Sequence, residues 1–312
     1  MKCSKCEKKA VYYRKFEGQW LCKNHFSKIV EQRARKTIRT NGLVEHNDRI
    51  AVGISGGKDS LTMLYFLNKI TKRRKDISIF AILIDEGIEG YREHGKKTAI
   101  DYCEKLGVTL AIASFEDEYG LPLDKIVKIG KKSDKAVKAC TYCGVFRRKL
   151  LNDTARELGA TKLAIGHNLD DEAQAIMANN IRGDLMRSAR LGAKALVIED
   201  KRLIPRIKPL RDIPEKEVAL FTMINSIPAD FAECPYAKES FRWSVRDMIN
   251  TMEEKYPGTK YSIVRTFDNL LPTIKEKYAG GKIGACKKCK EPTSNDLCKN
   301  CILKEKLGIN RT

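Results

Sequence analysis

Ile50-Ala-Val-Gly-Ile-Ser55-Gly-Gly-Lys-Asp-Ser60 decides how this 312-residue chain is read. Apolar and small residues lead into two glycines. Lysine, aspartate and serine follow, then the helix-forming run Leu61 to Lys72. The order predicts a buried strand, a tight turn and a helix start. Such a turn aims backbone N–H groups and the positive end of a helix dipole at one point, a seat for an anion. Gly56 and Gly57 let the backbone approach that anion closely. Ser55 and Ser60 add hydroxyls, and Lys58 adds a cation. Asp59 is a carboxylate beside a phosphate site, which makes chemical sense through a divalent metal such as Mg²⁺.

The stretch is neither the nucleotide loop GxxxxGK[ST] nor the dinucleotide loop GxGxxG. Ser-Gly-Gly-Lys-Asp-Ser after a strand resembles the pyrophosphate loop of ATP pyrophosphatases. Those enzymes cleave ATP between the α and β phosphates to adenylate a substrate. Downstream the pattern alternates, with strands predicted at 49–54, 77–84, 108–113 and 161–166 and helices near 60–72, 93–106 and 144–158. Near-continuous apolar strands separated by helices indicate an α/β fold with a parallel sheet covered on both faces. Ligands of such sheets bind beyond the carboxyl ends of the strands. That rule gathers the loop at 55–60, Asp85-Glu-Gly-Ile-Glu89 and Gly166-His-Asn-Leu-Asp-Asp-Glu172 in one crevice. The nucleotide-facing set is Gly53, Ser55, Gly56, Gly57, Lys58, Asp59, Ser60, Leu83, Asp85, Gly166, His167 and Asp171. Asp170 is placed beside them, and helix capping is the alternative reading for Asp170 and Asp171.

Beyond residue 171 the pattern predicts a helix over 171–182, then a less regular stretch carrying Arg182, Arg187, Arg190, Arg202, Arg206 and Arg211, read as a mobile loop at the crevice mouth. Helices are expected at 214–225, 237–253 and 258–278, with Arg242, Arg246 and Lys275 on polar faces and Phe241 and Trp243 in the core, stacking on a nucleobase being their alternative reading. The net charge is +20, which favours a polyanionic partner or a highly soluble, lysine-rich surface. No apolar run is long enough to span a membrane, and no signal-peptide pattern opens the chain. A cytoplasmic location is expected, where thiols stay reduced. Eleven cysteines then call for metals rather than disulfides.

Cys3-x2-Cys6 and Cys22-x2-His25 have the spacing of one tetrahedral Zn²⁺ site. Cys286-x2-Cys289 and Cys298-x2-Cys301 form a second, four-cysteine ribbon, surrounded by lysines and joined through Gly280-Gly281. A module this small owes most of its folding energy to the metal. Cys103 falls mid-helix and is assigned to the core. Cys140, Cys143 and Cys234 remain. Three thiolates can hold an iron–sulfur cluster with one iron lacking a protein ligand. They can also run persulfide chemistry, one carrying sulfur and another resolving it as a disulfide.

Ribbon, SGGKDS loop, CxxCGV, GHNLDDE, a later Cys-Pro and a terminal ribbon occur in that order. Over nearly the whole chain this resembles the tRNA 2-thiouridine synthetases of the TtuA/TtcA family, nearest the archaeal and eukaryotic cytosolic wobble-uridine thiolases and the TtuA enzymes. The cytidine-32 branch typically lacks the terminal ribbons and is disfavoured. The resemblance implies a PP-loop ATP-pyrophosphatase domain (adenine nucleotide alpha hydrolase-like) flanked by zinc ribbons. The expected division is a ribbon at 1–26, a basic linker helix at 27–48, the PP-loop domain at 49–212, a helical region at 213–280 and a ribbon at 281–312. It also implies ATP, Mg²⁺, two Zn²⁺ and a 4Fe-4S cluster on Cys140, Cys143 and Cys234. Catalytic roles then fall to Lys58, Asp59, Asp171 and Arg147. Some relatives have lysine where this chain has Arg147; arginine keeps the charge but does not readily shuttle a proton.

The implied reaction adenylates the C2 oxygen of a tRNA uridine and then installs sulfide. Uridine 34 is favoured over uridine 54. The sulfur donor is free sulfide or a thiocarboxylated ubiquitin-like protein, and a homodimer is implied. Two other classes compete: a non-catalytic RNA-binding zinc-ribbon protein, and an ATP pyrophosphatase acting on a small molecule.

Overall fold

Two antiparallel hairpins open the chain, β1 (Lys2–Cys3) with β2 (Cys6–Lys9) and β3 (Tyr12–Arg14) with β4 (Gln19–Leu21). Helix α1 (Lys23–Thr40) follows, burying Phe26, Val30, Ala34 and Ile38 along one stripe, the spacing expected of an amphipathic helix. The computed structural model describes residues 1–131, 137–195, 200, 202–279 and 284–309. Gly280-Gly281, read above as a hinge, lies outside them.

The central sheet is built from β5 (Arg49–Ile54), β6 (Ser78–Asp85), β7 (Leu110–Ser114), β8 (Lys162–Ala164), β9 (Lys194–Ala195) and β10 (Arg206–Ile207). Their spatial order is β7-β6-β5-β8-β10-β9. All pairings are parallel except β9 with β10. Between the strands run α2 (Lys58–Thr71), α3 (Arg92–Leu106), α4 (Phe115–Tyr119), α5 (Leu123–Lys131) and α6 (Ala139–Glu157). The chain steps outward from β5 to β7, then returns to the other side of β5 at β8. The strand order therefore reverses between β5 and β8, and the crevice opens between the loops that follow those two strands.

The strands are apolar because helices cover both faces. Ile50, Val52 and Ile54 point into one layer with Leu61, Leu64, Tyr102 and Phe221. Ala51, Ile82 and Leu163 point into the other with Phe115, Tyr119, Phe146 and Leu150. Each large apolar side chain buried this way contributes about 1.5–3 kcal/mol. The first three expected strands land on β5, β6 and β7. The fourth ends at Ala164, so Gly166 belongs to the loop. Helix α6 starts at Ala139 rather than 144, which puts Cys140 and Cys143 in its first turn. The stretch read as a loop at the crevice mouth instead contains α8 (Leu185–Ala189), β9 and β10; residues 196–199 and 201 within it lie outside the described residues.

A third apolar layer joins α7 (Leu169–Ile181) to α10 (Phe241–Lys255) and α11 (Thr259–Ala279) through Ile176, Val245, Ile249, Val264 and Phe267. Helix α9 (Glu215–Ile224) precedes them. Phe241 packs on this layer beneath Arg182, whereas Trp243 is half-buried with Arg246 over its ring and is not a core residue. Among the described residues no helix is long and apolar enough to cross a membrane.

Glu172 lies in the floor of this region, 1% exposed at its side chain, 2.6 Å from Lys208 Nζ and 3.5 Å from Arg211 Nε. Burial pushes its carboxyl up, but Lys208, His167 and Arg211 outweigh that and lower it to about 2. A lowered carboxylate contributes stability above its unfolded value near 4.5, and that contribution is lost as pH falls toward 2. The contribution is about 3 kcal/mol. Urea titrations should therefore show stability falling between about pH 5 and 2. Zinc thiolates protonate in acid too, so Glu172 is read as the slope that disappears in Glu172→Gln. Equal slopes in the two proteins would refute this.

Both terminal modules dock on the body. Arg14 in β3 makes a two-pronged ion pair with Glu217 in α9, Nε to Oε1 at 2.8 Å and Nη2 to Oε2 at 2.7 Å, with both side chains buried. Arg33, in the stretch expected as a basic linker helix, is paired with Glu17 at 2.8 Å and lies over Tyr261. At the other end β11 (Gly284–Ala285), β12 (Pro292–Thr293) and α12 (Lys299–Lys306) form the second ribbon. Leu303, Leu307 and Ile309 enter the core beside Phe146. Tyr119 Oη donates to Asn300 Oδ1 at 3.2 Å, and Arg156 pairs with Glu291 at 2.8 Å. The second ribbon thus braces the back of α6, the helix that carries Cys140 and Cys143.

Candidate active site and metal-ligating clusters

The loop after β5 is held by its own serines. Ser55 N–H donates to Ser60 Oγ at 3.1 Å, and Ser60 Oγ donates to the Gly57 carbonyl at 2.9 Å. Gly56 has φ +83°, and a Cβ there would lie 2.0 Å from the Gly95 carbonyl oxygen, so only glycine fits. Gly57 caps α2 without a side-chain bond, leaving the first amides of the helix for an anion. Gly53 sits in β5, where a Cβ would meet Leu151 at 3.3 Å; helix packing explains that glycine.

Lys58 Nζ lies 3.0 Å from Asp59 Oδ2 and 2.9 Å from Glu215 Oε1. Burial pushes the ammonium down, but the two carboxylates outweigh it and keep it charged. Asp59 accepts from Asn168 Nδ2 at 2.9 Å. Burial raises its carboxyl, and the charge of Asp171 raises it further. Two carboxylates close enough to disfavour each other suit a divalent cation.

The loop after β8 meets the first loop closely. A Cβ on Gly166 would be 3.0 Å from the Ser60 nitrogen. Asn168, not Asp170 or Asp171, caps α7. Its side chain accepts from Asp171 N–H at 3.0 Å, and Asp171 Oδ2 accepts from Asn168 N–H at 3.1 Å, a reciprocal capping box. Asp171 also bonds Arg242 through Oδ1. Burial raises its carboxyl, but Arg242 and His167 outweigh that and lower it, so it stays ionised. Asp170 turns away from the crevice. It is buried, paired with Lys260, and accepts from Glu215 N–H at 2.8 Å. The expectation that Asp170 faces the nucleotide is therefore corrected: its charge is already spent on Lys260. His167 Nδ1 is buried without a hydrogen-bond partner, 3.7 Å from Glu172 Oε1.

Leu83 is fully buried in the core, so only its backbone can face a nucleotide. Asp85, at the end of β6, is held by Lys96 at 2.8 Å and by Gly87 N–H at 3.1 Å.

Cys140 and Cys143 stand one turn apart on α6, and Cys143 and Cys234 are partly buried against the same core; unlike the ligands of the two terminal clusters, the three sulfurs do not all gather within 4.8 Å of one another. The Cys140 thiol lies 3.4 Å from the Tyr236 carbonyl. Asp230 N–H donates to the Gly56 carbonyl at 2.9 Å, and Gly57 and Asp230 pair as a parallel bridge. The arm bearing Cys234 is thus tied to the phosphate loop four residues upstream. Burial pushes all three thiols up, Cys143 to about 11, and charge on Cys234 raises both Cys140 and Cys143. Thiols that oppose one another's ionisation fit a shared cation, such as an iron–sulfur cluster would supply. Arg147, one turn beyond Cys143, lies 3.4 Å from Glu86 Oε1; Cys143 and Glu86 both reinforce its charge against burial.

The ligand atoms of Cys3, Cys6, Cys22 and His25 lie within 4.8 Å of one another, as do those of Cys286, Cys289, Cys298 and Cys301. Cys6 and Cys22 sulfurs are 3.7 Å apart, Cys289 and Cys298 sulfurs 3.5 Å, and Cys3 Sγ is 3.4 Å from His25 Nδ1. Tetrahedral Zn–S and Zn–N bonds give edges of about 3.8 and 3.6 Å. At Cys3 and at Cys286 burial pushes the thiol up, but backbone N–H donors outweigh it and lower each to about 6.

The PP-loop domain family matches residues 26–233, and the family described as 2-thiouridine synthetase TtuA, N-terminal LIM domain, matches residues 2–27. The tRNA 2-thiolation protein NcsA of Haloferax volcanii is 38% identical over 98% of this chain and 99% of its own. The chain belongs to the PP-loop tRNA 2-thiolation family. Cytoplasmic tRNA 2-thiolation protein 1 of Danio rerio is 35% identical, covering 100% of this chain and 89% of that one. The structure of the U34-tRNA thiolase NcsA from Methanococcus maripaludis with its [4Fe-4S] cluster aligns at TM-score 0.84 and 40% identity, over 100% of this chain and 98% of that one.

Several residues of this 2-thiolation-family site escaped the sequence reading. Glu215 and Asn168 hold Lys58 and Asp59; Arg242 holds Asp171; Asp230 ties the cysteine arm to the loop. Each acts through a contact distant in sequence. Asn168 alone carried a local signal, since asparagine three residues before an acid is a capping pattern.

Proposed function

We propose that the chain synthesises 2-thiouridine in tRNA, at uridine 34, with ATP cleaved to AMP and pyrophosphate. The observation that carries this reading is the bond from Asp230 to Gly56, which ties the arm bearing Cys234 to the loop read as the phosphate seat. The ATP phosphates lie on the amides of residues 55–60. Lys58 exchanges its carboxylate partners for phosphate oxygens. Asp59 would hold Mg²⁺, with Asp171 as an ionised second carboxylate; because Asp171 is held ionised, it would serve the metal rather than donate a proton.

The uridine C2 oxygen attacks the α phosphorus and pyrophosphate leaves. Sulfide then attacks C2, the C2–O bond breaks, and AMP carries the oxygen away. Adenylation thereby converts a poor leaving group into a good one. A 4Fe-4S cluster on Cys140, Cys143 and Cys234 supplies an iron without a protein ligand as a holding site for sulfide. Arg147 contributes fixed positive charge beside Cys143 and no proton transfer. Each terminal ribbon holds one structural Zn²⁺ with its coordination closed.

The tRNA 2-thiolation activity of the relatives and the uridine-34 thiolase among the structural neighbours support the choice of tRNA and of position. The net charge of +20 supports phosphate contact. Arg148 and Arg206 add to it: Arg206 donates to the Arg148 carbonyl at 3.3 Å, and among the described residues neither guanidinium is paired with an acid. Anaerobic incubation of the cluster-loaded protein with tRNA, ATP, Mg²⁺ and sulfide, followed by nucleoside mass analysis, tests the reading. Thiolated uridine mapped to position 34 is expected; its absence with cluster and zinc intact refutes it.

A further inference from the structure

Glu86 follows Asp85 at the end of β6 and takes no part in the chemistry above. It is 2% exposed, yet its carboxylate faces two guanidinium groups. Oε2 lies 2.7 Å from Arg92 Nε, and Oε1 lies 3.4 Å from Arg147 Nη1. Arg92 is also buried. Its Nη1 donates to the Ser55 carbonyl at 3.1 Å, and its Nη2 to the Ile84 carbonyl at 2.7 Å. Ser55 opens the phosphate loop, and Arg147 stands one turn beyond Cys143.

The two arms of this network therefore end on the two halves of the site. On one side Arg92 crosses from β6 to the loop after β5 and fixes a carbonyl there. The peptide groups that follow that carbonyl are the ones aimed at the phosphates. On the other side Arg147, with its side chain half exposed, keeps one guanidinium nitrogen 3.4 Å from Glu86 Oε1. A buried carboxylate near Cys143 and Cys234 is costly by itself, because its charge opposes their ionisation. Arg147 lies under the influence of both groups and offsets that cost. Removing Glu86 or Arg92 leaves the other as an uncompensated buried charge, and Arg147 reaches the pair through Glu86.

We propose that Glu86 is a positioning residue shared by both half-reactions, fixing the ATP loop through Arg92 and holding the Arg147 guanidinium at Cys143. The inference rests on the thiolation reading. It predicts a division of labour among three variants of the cluster-loaded protein. Arg92→Gln raises the KM for ATP roughly 10-fold with a smaller effect on sulfur incorporation. Arg147→Gln slows single-turnover sulfur incorporation at saturating ATP by about 10- to 100-fold, the range for groups around a metal centre, and shifts the cluster's reduction potential and electron paramagnetic resonance spectrum. Glu86→Gln does both.

The double variant Glu86→Gln/Arg147→Gln is no slower in the sulfur step than Arg147→Gln alone, since Glu86 acts there through Arg147. Zinc content and the urea midpoint establish that each variant is folded. Should Glu86→Gln not fold, Glu86→Asp keeps the charge and shortens the reach, and the same paired losses are expected at smaller size. An unchanged ATP KM, an unchanged spectrum, or additive losses in the double variant would overturn the proposal. Wild-type protein that thiolates while Glu86 variants behave as wild type refutes this inference alone. Wild-type protein that fails to thiolate refutes the function on which it rests.

Discussion

Cys234→Ala is expected to lose iron and thiolation together while both zinc ions stay. Cys234 reaches the site on an arm tied to the phosphate loop through Asp230 and Gly56, and it packs on the same core as Cys143. With two thiolates on α6 and none opposite, the group cannot hold a cluster of four irons. Loss of groups merely surrounding a metal centre costs about 10- to 100-fold in activity, so loss of a ligand should exceed about 100-fold. Cys103 is the control. It is buried in the opposite layer, and burial pushes its thiol up to about 11, so Cys103→Ala should keep iron, spectrum and activity. Iron content, the visible spectrum and nucleoside mass analysis read the difference. An unchanged iron content in Cys234→Ala would remove it as a ligand and favour persulfide chemistry.

Lys58→Met should lower kcat/KM for ATP by about 100- to 1,000-fold, the usual loss when one preorganised stabiliser of developing charge is removed. The ammonium lies between Asp59 and Glu215, ready to exchange those carboxylates for phosphate oxygens. Methionine fills the space without the charge. It also leaves Asp59, Glu215 and Asp171 facing one another without Lys58, so the apparent Mg²⁺ requirement should change as well. Iron and zinc contents are expected to stay at wild-type values, because Lys58 touches neither group. The rate of AMP formation with tRNA present measures the effect. A loss under about threefold would contradict the assignment of Lys58 to the phosphates.

The sequence revealed those parts of the site whose chemistry is contiguous. SGGKDS falls within six residues on one loop and helix start, and the spacing of the ribbon cysteines already groups their ligand atoms. The long apolar strands β5 and β6 were readable for the same reason: a run buried on both faces needs no partner to be recognised. Strands β9 and β10 have two residues each, too few for any period. Helices α4 and α8 have five each.

Side-chain partnerships were out of reach for a different reason. Lys58 meets Glu215 across 157 positions, and Asp171 meets Arg242 across 71. Adjacent acids such as Asp170 and Asp171 look alike until the helix that carries them is oriented; one then faces Lys260 and the other the crevice. The second ribbon was readable as a metal-ligating cysteine group, but not as a brace for α6. Its lysines advertise a solvated surface, while Leu303, Leu307 and Ile309 enter the core of the body.

The account turns on one oxygen atom. If the uridine is adenylated at its C2 oxygen before sulfur arrives, that oxygen leaves with AMP. The test is a single turnover with tRNA carrying ¹⁸O at C2 of the target uridine, in ordinary water, followed by mass analysis of the AMP. One ¹⁸O in AMP for each 2-thiouridine formed is the predicted result. Unlabelled AMP beside thiolated tRNA would contradict adenylation of the base.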